Sequence, residues 1–284
     1  MATFTFTPVR RMGSHVIITA FGESGSGKTL SLLKLGRGLV GADGKLGMLD
    51  TERGRGRIYE KSITGGYLYA ELTPPFTPER YSEGIAAAEE AGIDALLIDT
   101  GSGEWDGFGG ILEIADEGKT NEGKALQGLI KWSRPKARHK KYVQRLLDSP
   151  MHILISLRAK EKMIQVGGKV PIPPGAKAGD IISDGFVPIQ DKKFIFETTV
   201  QLFFPTSGAR GVPVTEQGPL FKCPEDLRGA FPAGEPITED TGKRIAEWIA
   251  GGVPIDRVFE EMKRAAEEAA ALGTAALRAH YEAD

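Results

Sequence analysis

Residues 22–29 read GESGSGKT and follow directly on the apolar run HVIITAF, residues 15–21. The spacing G-x-x-x-x-G-K-T, at Gly22, Gly27, Lys28 and Thr29, is that of a phosphate-binding loop. Glycines let the backbone curl until successive N–H groups converge on phosphate oxygens. A lysine there neutralises the β/γ charge, and a following hydroxyl can ligate magnesium. Such a loop works only where a buried strand enters it and a helix leaves it, which confines the fold to the α/β class.

The remaining pattern agrees with that constraint. Leu30, Leu33, Leu35 and Leu39 predict a helix after the loop, ended by the glycine-rich GLVGADGK. Short apolar runs predict strands at 45–50 (KLGMLD), 67–72 (YLYAEL), 93–100 (IDALLIDT) and 151–157 (MHILISL), giving about five with the first. A helix over 78–91 opens with a proline in its first turn, and helical pattern returns over 122–147, interrupted at Pro135. A mobile loop or hairpin is expected over 161–192, and a further strand over 193–204 (KFIFETTVQLFF). Strands alternating with helices predict a doubly wound, mainly parallel sheet occupying residues 1–236. Residues 237–284 are expected to form a helical extension, with helices over 238–250 and 255–282.

Composition limits the function classes. The 284 residues are 40% apolar, enough for a sizeable core. A single cysteine, Cys223, excludes an intramolecular disulfide framework and a thiol zinc cluster. No run approaches the ~18 apolar residues of a membrane helix, and MATFTFTPVRR lacks the apolar centre of a signal peptide, so no membrane partner and a cytoplasmic location are expected. A net charge of -2 excludes a globally basic nucleic-acid binder and leaves local patches as the question.

The whole loop (Gly22, Glu23, Ser24, Gly25, Ser26, Gly27, Lys28, Thr29) and Leu30 are the candidate ATP contacts. Asp99, closing the strand ALLI, is the candidate metal-organising carboxylate, with Thr29 as the other magnesium ligand. Glu52, two residues beyond Asp50 in LDTE, could accept a proton from water at the γ-phosphate. Ser156, Arg158 and Lys160 follow MHILISL, where a polar group can sense the γ-phosphate and a cation can reach it. Arg53, Arg55 and Arg57 form either an interface or an exposed basic loop. Residues 131–145, KWSRPKARHKKYVQR, hold seven Lys or Arg and no acid, with Trp132 and Tyr142 interspersed. Lys136, Arg138, Lys140 and Lys141 are the candidate phosphate-backbone contacts there. The alternative is a solvated helix face with Trp132 in the core.

The series GESGSGKT, PPFTPERYSEGIAAAEEAGIDALLIDTGSGEWDGFGG, SPMHILISLRAK and GFVPIQDKKFIFE resembles the RecA-like, AAA-family ATPases of phages and prophages, some of which are single-strand annealing recombinases. The resemblance covers about residues 13–250. In that family the segment after the metal aspartate reads SxxHEWxGxGG. Here Thr100 and Gly103 depart from it, while Glu104, Trp105, Gly107, Gly109 and Gly110 match. It makes Glu104 a second candidate for the water-activating carboxylate. The coarser likeness to RecA, through GMLDTE and LISLR, points to Glu52. The resemblance implies a magnesium-dependent ATPase that forms homo-oligomers and acts on single-stranded DNA in phage recombination or replication, in a host cytoplasm, with a phage single-strand-binding or replication protein as partner. It implies DNA contacts in the 161–192 loop, with Lys162, Lys169 and Lys177 as the cations. A small-molecule kinase and a nucleotide-gated adaptor with little hydrolysis are the alternatives.

Overall fold

A computed structural model describes residues 14–120, 122–168, 170–216 and 218–251. Lys169 and the helices expected over 255–282 lie outside the described residues. Residues 15–243 form one compact unit.

Eight strands are described: β1 (Ile17–Gly22), β2 (Leu46–Asp50), β3 (Leu68–Glu71), β4 (Ala95–Asp99), β5 (His152–Gln165), β6 (Ile181–Pro188), β7 (Val200–Phe204) and β8 (Phe221–Lys222). The helices are α1 (Lys28–Val40), α2 (Pro78–Glu90), α3 (Ser102–Asp106), α4 (Ile111–Asp116), α5 (Ser133–Leu147) and α6 (Glu239–Ile249). The sheet order is β3-β2-β4-β5-β1-β7-β8. All neighbours from β3 to β7 are parallel, and β8 closes the edge antiparallel to β7. Beyond the five strands and the further one expected over 193–204, which supplies β7, the sheet gains β8 at its edge and β6 beside β5.

The central strands β1, β2, β4 and β7 are buried along their whole length, as their unbroken apolar runs require. Alternate residues serve opposite faces. Gly36 of α1 brings that helix so close to the sheet that a Cβ would stand 2.7 Å from Leu46 and 2.8 Å from Leu154. On the other face Ile98, Ile153 and Ile155 share one apolar cluster with Tyr81 and Ile85 of α2 and Tyr142 of α5. Helices thus cover both faces. Thr77 caps α2 through a 3.4 Å hydrogen bond from the Arg80 N–H, with Pro78 in the first turn.

Two expectations need correction. The helix expected over 122–147 begins only at Ser133. Pro135 therefore lies in its first turn, where the missing N–H costs nothing, and interrupts no helix. The strand expected over 193–204 is confined to β7, because Phe194–Glu197 form a 3-10 turn. Of the two forms expected over 161–192 the hairpin is present: β5 runs on beyond the sheet to Gln165 and pairs antiparallel with β6, with a register shift between Glu161 and Met163.

Candidate functional site

The phosphate loop leaves β1 and turns into α1 at the C-terminal edge of the parallel strands. Gly25 (φ 84°) and Gly27 (φ 99°) adopt left-handed backbone that side chains disfavour, and a Cβ on Gly27 would stand 2.7 Å from the Gly211 nitrogen. Lys28 Nζ donates to the carbonyl oxygens of Gly22 (2.9 Å) and Glu23 (2.7 Å) and lies 3.4 Å from Ser26 Oγ. The ammonium therefore lies across the loop. Burial lowers its pKa, and the carboxylates of Asp99 and Glu52 oppose that shift.

Asp99 ends β4, two strands from β1, with β5 between them. Its Oδ2 accepts the Thr29 hydroxyl at 2.9 Å, and its Oδ1 accepts the Ser156 hydroxyl from β5. Burial pushes its pKa up to about 6, against the two hydroxyl hydrogen bonds and with the added push of Glu52 and Asp50. Glu52 stands just beyond β2, ion-paired to Arg158 at 3.5 Å and to Arg55 at 3.7 Å. Lys28, Thr29, Glu52, Asp99, Ser156 and Arg158 thus converge from four elements.

Glu104 is placed differently. It is fully buried on α3, 3.0 Å from His139 Nδ1 of α5, and its Oε2 accepts from Gln190 Nε2 at 3.4 Å. Trp105 stacks on Trp132 with ring centroids 6.4 Å apart.

The basic segment is partly neutralised. Arg138 makes a two-pronged pair with Glu79 (2.7 and 2.5 Å), Lys136 lies 3.9 Å from Asp191, and Lys131 pairs with Asp116 at 2.8 Å. Tyr142 is buried in the core, so it offers no face to a base. Arg134, Lys140 and Lys141 are exposed and, among the described residues, have no acidic partner. Lys162 pairs across the hairpin with Asp184.

Several site residues escaped sequence reasoning. Asp50, fully buried, accepts hydrogen bonds from Glu52 N (2.5 Å), Gly56 N (2.8 Å) and the Tyr69 hydroxyl (2.8 Å). Its place at a strand end, in register with Asp99, is a signal that could have found it. His139 and Gln190 carry no motif. Cys223 is half-buried, and burial pushes its thiol up to about 12, far from a reactive thiolate.

Residues 14–186 match the AAA domain. The chain belongs to the AAA domain family of P-loop NTPases. The match spans β1 to within β6 and includes the phosphate loop, Glu52, Asp99, Ser156 and Arg158. Nucleotide binding is the general property of AAA domains. No curated protein matches the chain. No helix among the described residues of this AAA-domain chain is long and apolar enough to cross a membrane.

Proposed function

We propose that the chain is a RecA-like ATPase that hydrolyses magnesium-bound ATP, forms homo-oligomers and acts on single-stranded DNA in phage recombination or replication. The observation that carries this reading is the insertion of β5 between the P-loop strand and the Asp99 strand. That order differs from kinase-like proteins, in which the two strands are neighbours, and it sets Ser156 on Asp99 and Arg158 on Glu52.

The residues fit the nucleotide and its ion. Thr29 Oγ1 and Asp99 Oδ2 are 2.9 Å apart. Adjacent ligands of an octahedral ion with bonds of ~2.0–2.1 Å are separated by about that length. Thr29 and Asp99 would hold the ion, which when bound neutralises phosphate charge. The N–H groups of the glycine loop would bind the phosphates, and Lys28 would exchange its loop carbonyls for phosphate oxygens. Glu52 would accept a proton from the attacking water, its carboxylate aimed by Arg158. Ser156 would hold Asp99 in position. Glu104, sealed beneath α5, would serve packing.

The DNA limb rests on the resemblance, with the exposed Lys140 and Lys141 and the β5–β6 hairpin as the surfaces that support it. The test is phosphate release from ATP with and without single-stranded DNA, run beside mass measurement in ATP. DNA-stimulated release and an ATP-dependent mass increase are expected. No phosphate release under either condition sinks the ATPase reading. Turnover indifferent to DNA, with no gel shift at low salt, removes the DNA limb.

A further inference from the structure

The loop after β7 lies against the phosphate loop. Gly211 N donates to the Ser26 carbonyl at 3.0 Å, and the Thr206 hydroxyl donates to Glu23 Oε2. Val214 N then bonds back to the Phe203 carbonyl at 2.8 Å, closing the turn. Residues 206–211 therefore touch the P-loop at both ends, through the Thr206 side chain and the Gly211 backbone. Arg210 stands between these anchors, exposed, and among the described residues its guanidinium has no hydrogen bond or ion pair. Its Cγ lies 3.1 Å from where a Cβ on Gly27 would be.

Strand order decides what this arginine can meet. Thr29 faces Asp99, and Glu52, Asp99, Ser156 and Arg158 all come from strands on one side of β1. β7 lies on the other side, and its loop meets the first turn of α1 at Gly27 and near Ser31, whose Oγ would stand 3.2 Å from a Cβ on Gly211. A triphosphate whose γ end points to Asp99 and Glu52 has its nucleoside end directed toward the β7 loop.

The geometry points to Arg210 as a nucleotide-contacting residue that packs its guanidinium on the nucleoside of the bound triphosphate. This assignment rests on the nucleotide reading of Gly22–Thr29. A planar cation suits that task, since it stacks on an aromatic base as well as donating hydrogen bonds. The Gly211 N–H bond to the Ser26 carbonyl, with the Thr206 side chain on Glu23, holds the arginine's main chain in place beforehand, which reduces the ordering cost of binding. Arg210 thus favours a nucleotide over a bare polyphosphate.

Calorimetric titration of the full chain with magnesium ATP and with magnesium tripolyphosphate tests this, using wild type, R210A and K28A. R210A is expected to bind ATP about tenfold more weakly and tripolyphosphate as wild type does. Retained tripolyphosphate binding also reports an intact loop. K28A is expected to lose both ligands. ATP binding by R210A equal to wild type overturns the assignment alone, as does an equal loss of both ligands, which would locate Arg210 on the phosphates or in the fold. Wild-type protein that binds neither ligand overturns the nucleotide reading, and this assignment with it.

Discussion

The Asp50 carboxylate accepts the backbone N–H of Glu52 at 2.5 Å, and its second oxygen accepts Gly56 N and the Tyr69 hydroxyl, both at 2.8 Å. One buried acid therefore fixes the turn on which the proposed water-activating acid stands. Asparagine in its place sets an NH2 against at least one of those donors. D50N is expected to lower kcat at least about tenfold by misaiming Glu52, while the affinity for ATP changes little. Steady-state turnover and equilibrium ATP binding, measured separately, check this. A parallel fall in affinity counts against it.

The two candidate glutamates separate by the kind of damage their loss causes. E52Q removes a proton acceptor at the site's mouth and is expected to cut turnover by about 10²–10⁴-fold with nucleotide binding retained. E104Q disturbs a buried group held by His139 and Gln190, so it is expected to cost about 1–3 kcal/mol of stability and leave turnover nearly intact. Denaturant unfolding beside phosphate-release assays distinguishes them. Lost turnover at unchanged stability in E104Q reverses the roles.

Acid should unfold the protein partly through His152. Burial, with His15 adding to it, lowers its pKa to about 4, and its Nδ1 accepts the Val16 N–H at 3.3 Å, which requires the neutral ring. The folded pKa lies below the unfolded value near 6.5. The associated stability is therefore present above pH ~6.5 and lost as pH falls toward ~4, about 3 kcal/mol at most. Unfolding free energy measured from pH 7 to pH 4.5 should fall for wild type and less steeply for His152→Phe. Equal slopes would exclude this histidine as the cause.

If α5 carries DNA, the lysines that matter are those without acids. K140E/K141E is expected to weaken single-stranded DNA binding and to reduce the log–log salt slope by at least ~1.4. Arg138, already bound to Glu79 by two hydrogen bonds, should contribute less. Fluorescence anisotropy across a salt series reads both. A larger effect from R138A than from the double variant argues for a different DNA path.

The features legible in sequence were those written contiguously. The loop Gly22–Thr29, the buried strand ending in Asp99 and the LISLR run each carry their own pattern, and the chain places their residues at one site. What was not legible depends on distant contacts. The Glu104–His139 pair spans 35 residues, so the sequence does not show that Glu104 is buried against α5. KWSRPKARHKKYVQR reads as one basic surface because the partners Glu79, Asp116 and Asp191 come from other segments. The 3-10 turn at Phe194–Glu197 is apolar and β-like in composition, and only its hydrogen bonds distinguish it from β7. Nothing in PTSGARGV signals that it lies against Ser26 and Gly27, since that closeness follows from β7 joining β1.

β5 is one uninterrupted ribbon of fourteen residues, buried where it bears Ser156 and exposed where it pairs with β6. At ~3.3 Å per residue it spans about 45 Å. An extended backbone can hardly be stretched further, so a pull on its outer end is carried inward as tension along covalent bonds. The outer half can change its side chains without altering the length of backbone that separates the far end of the hairpin from Ser156.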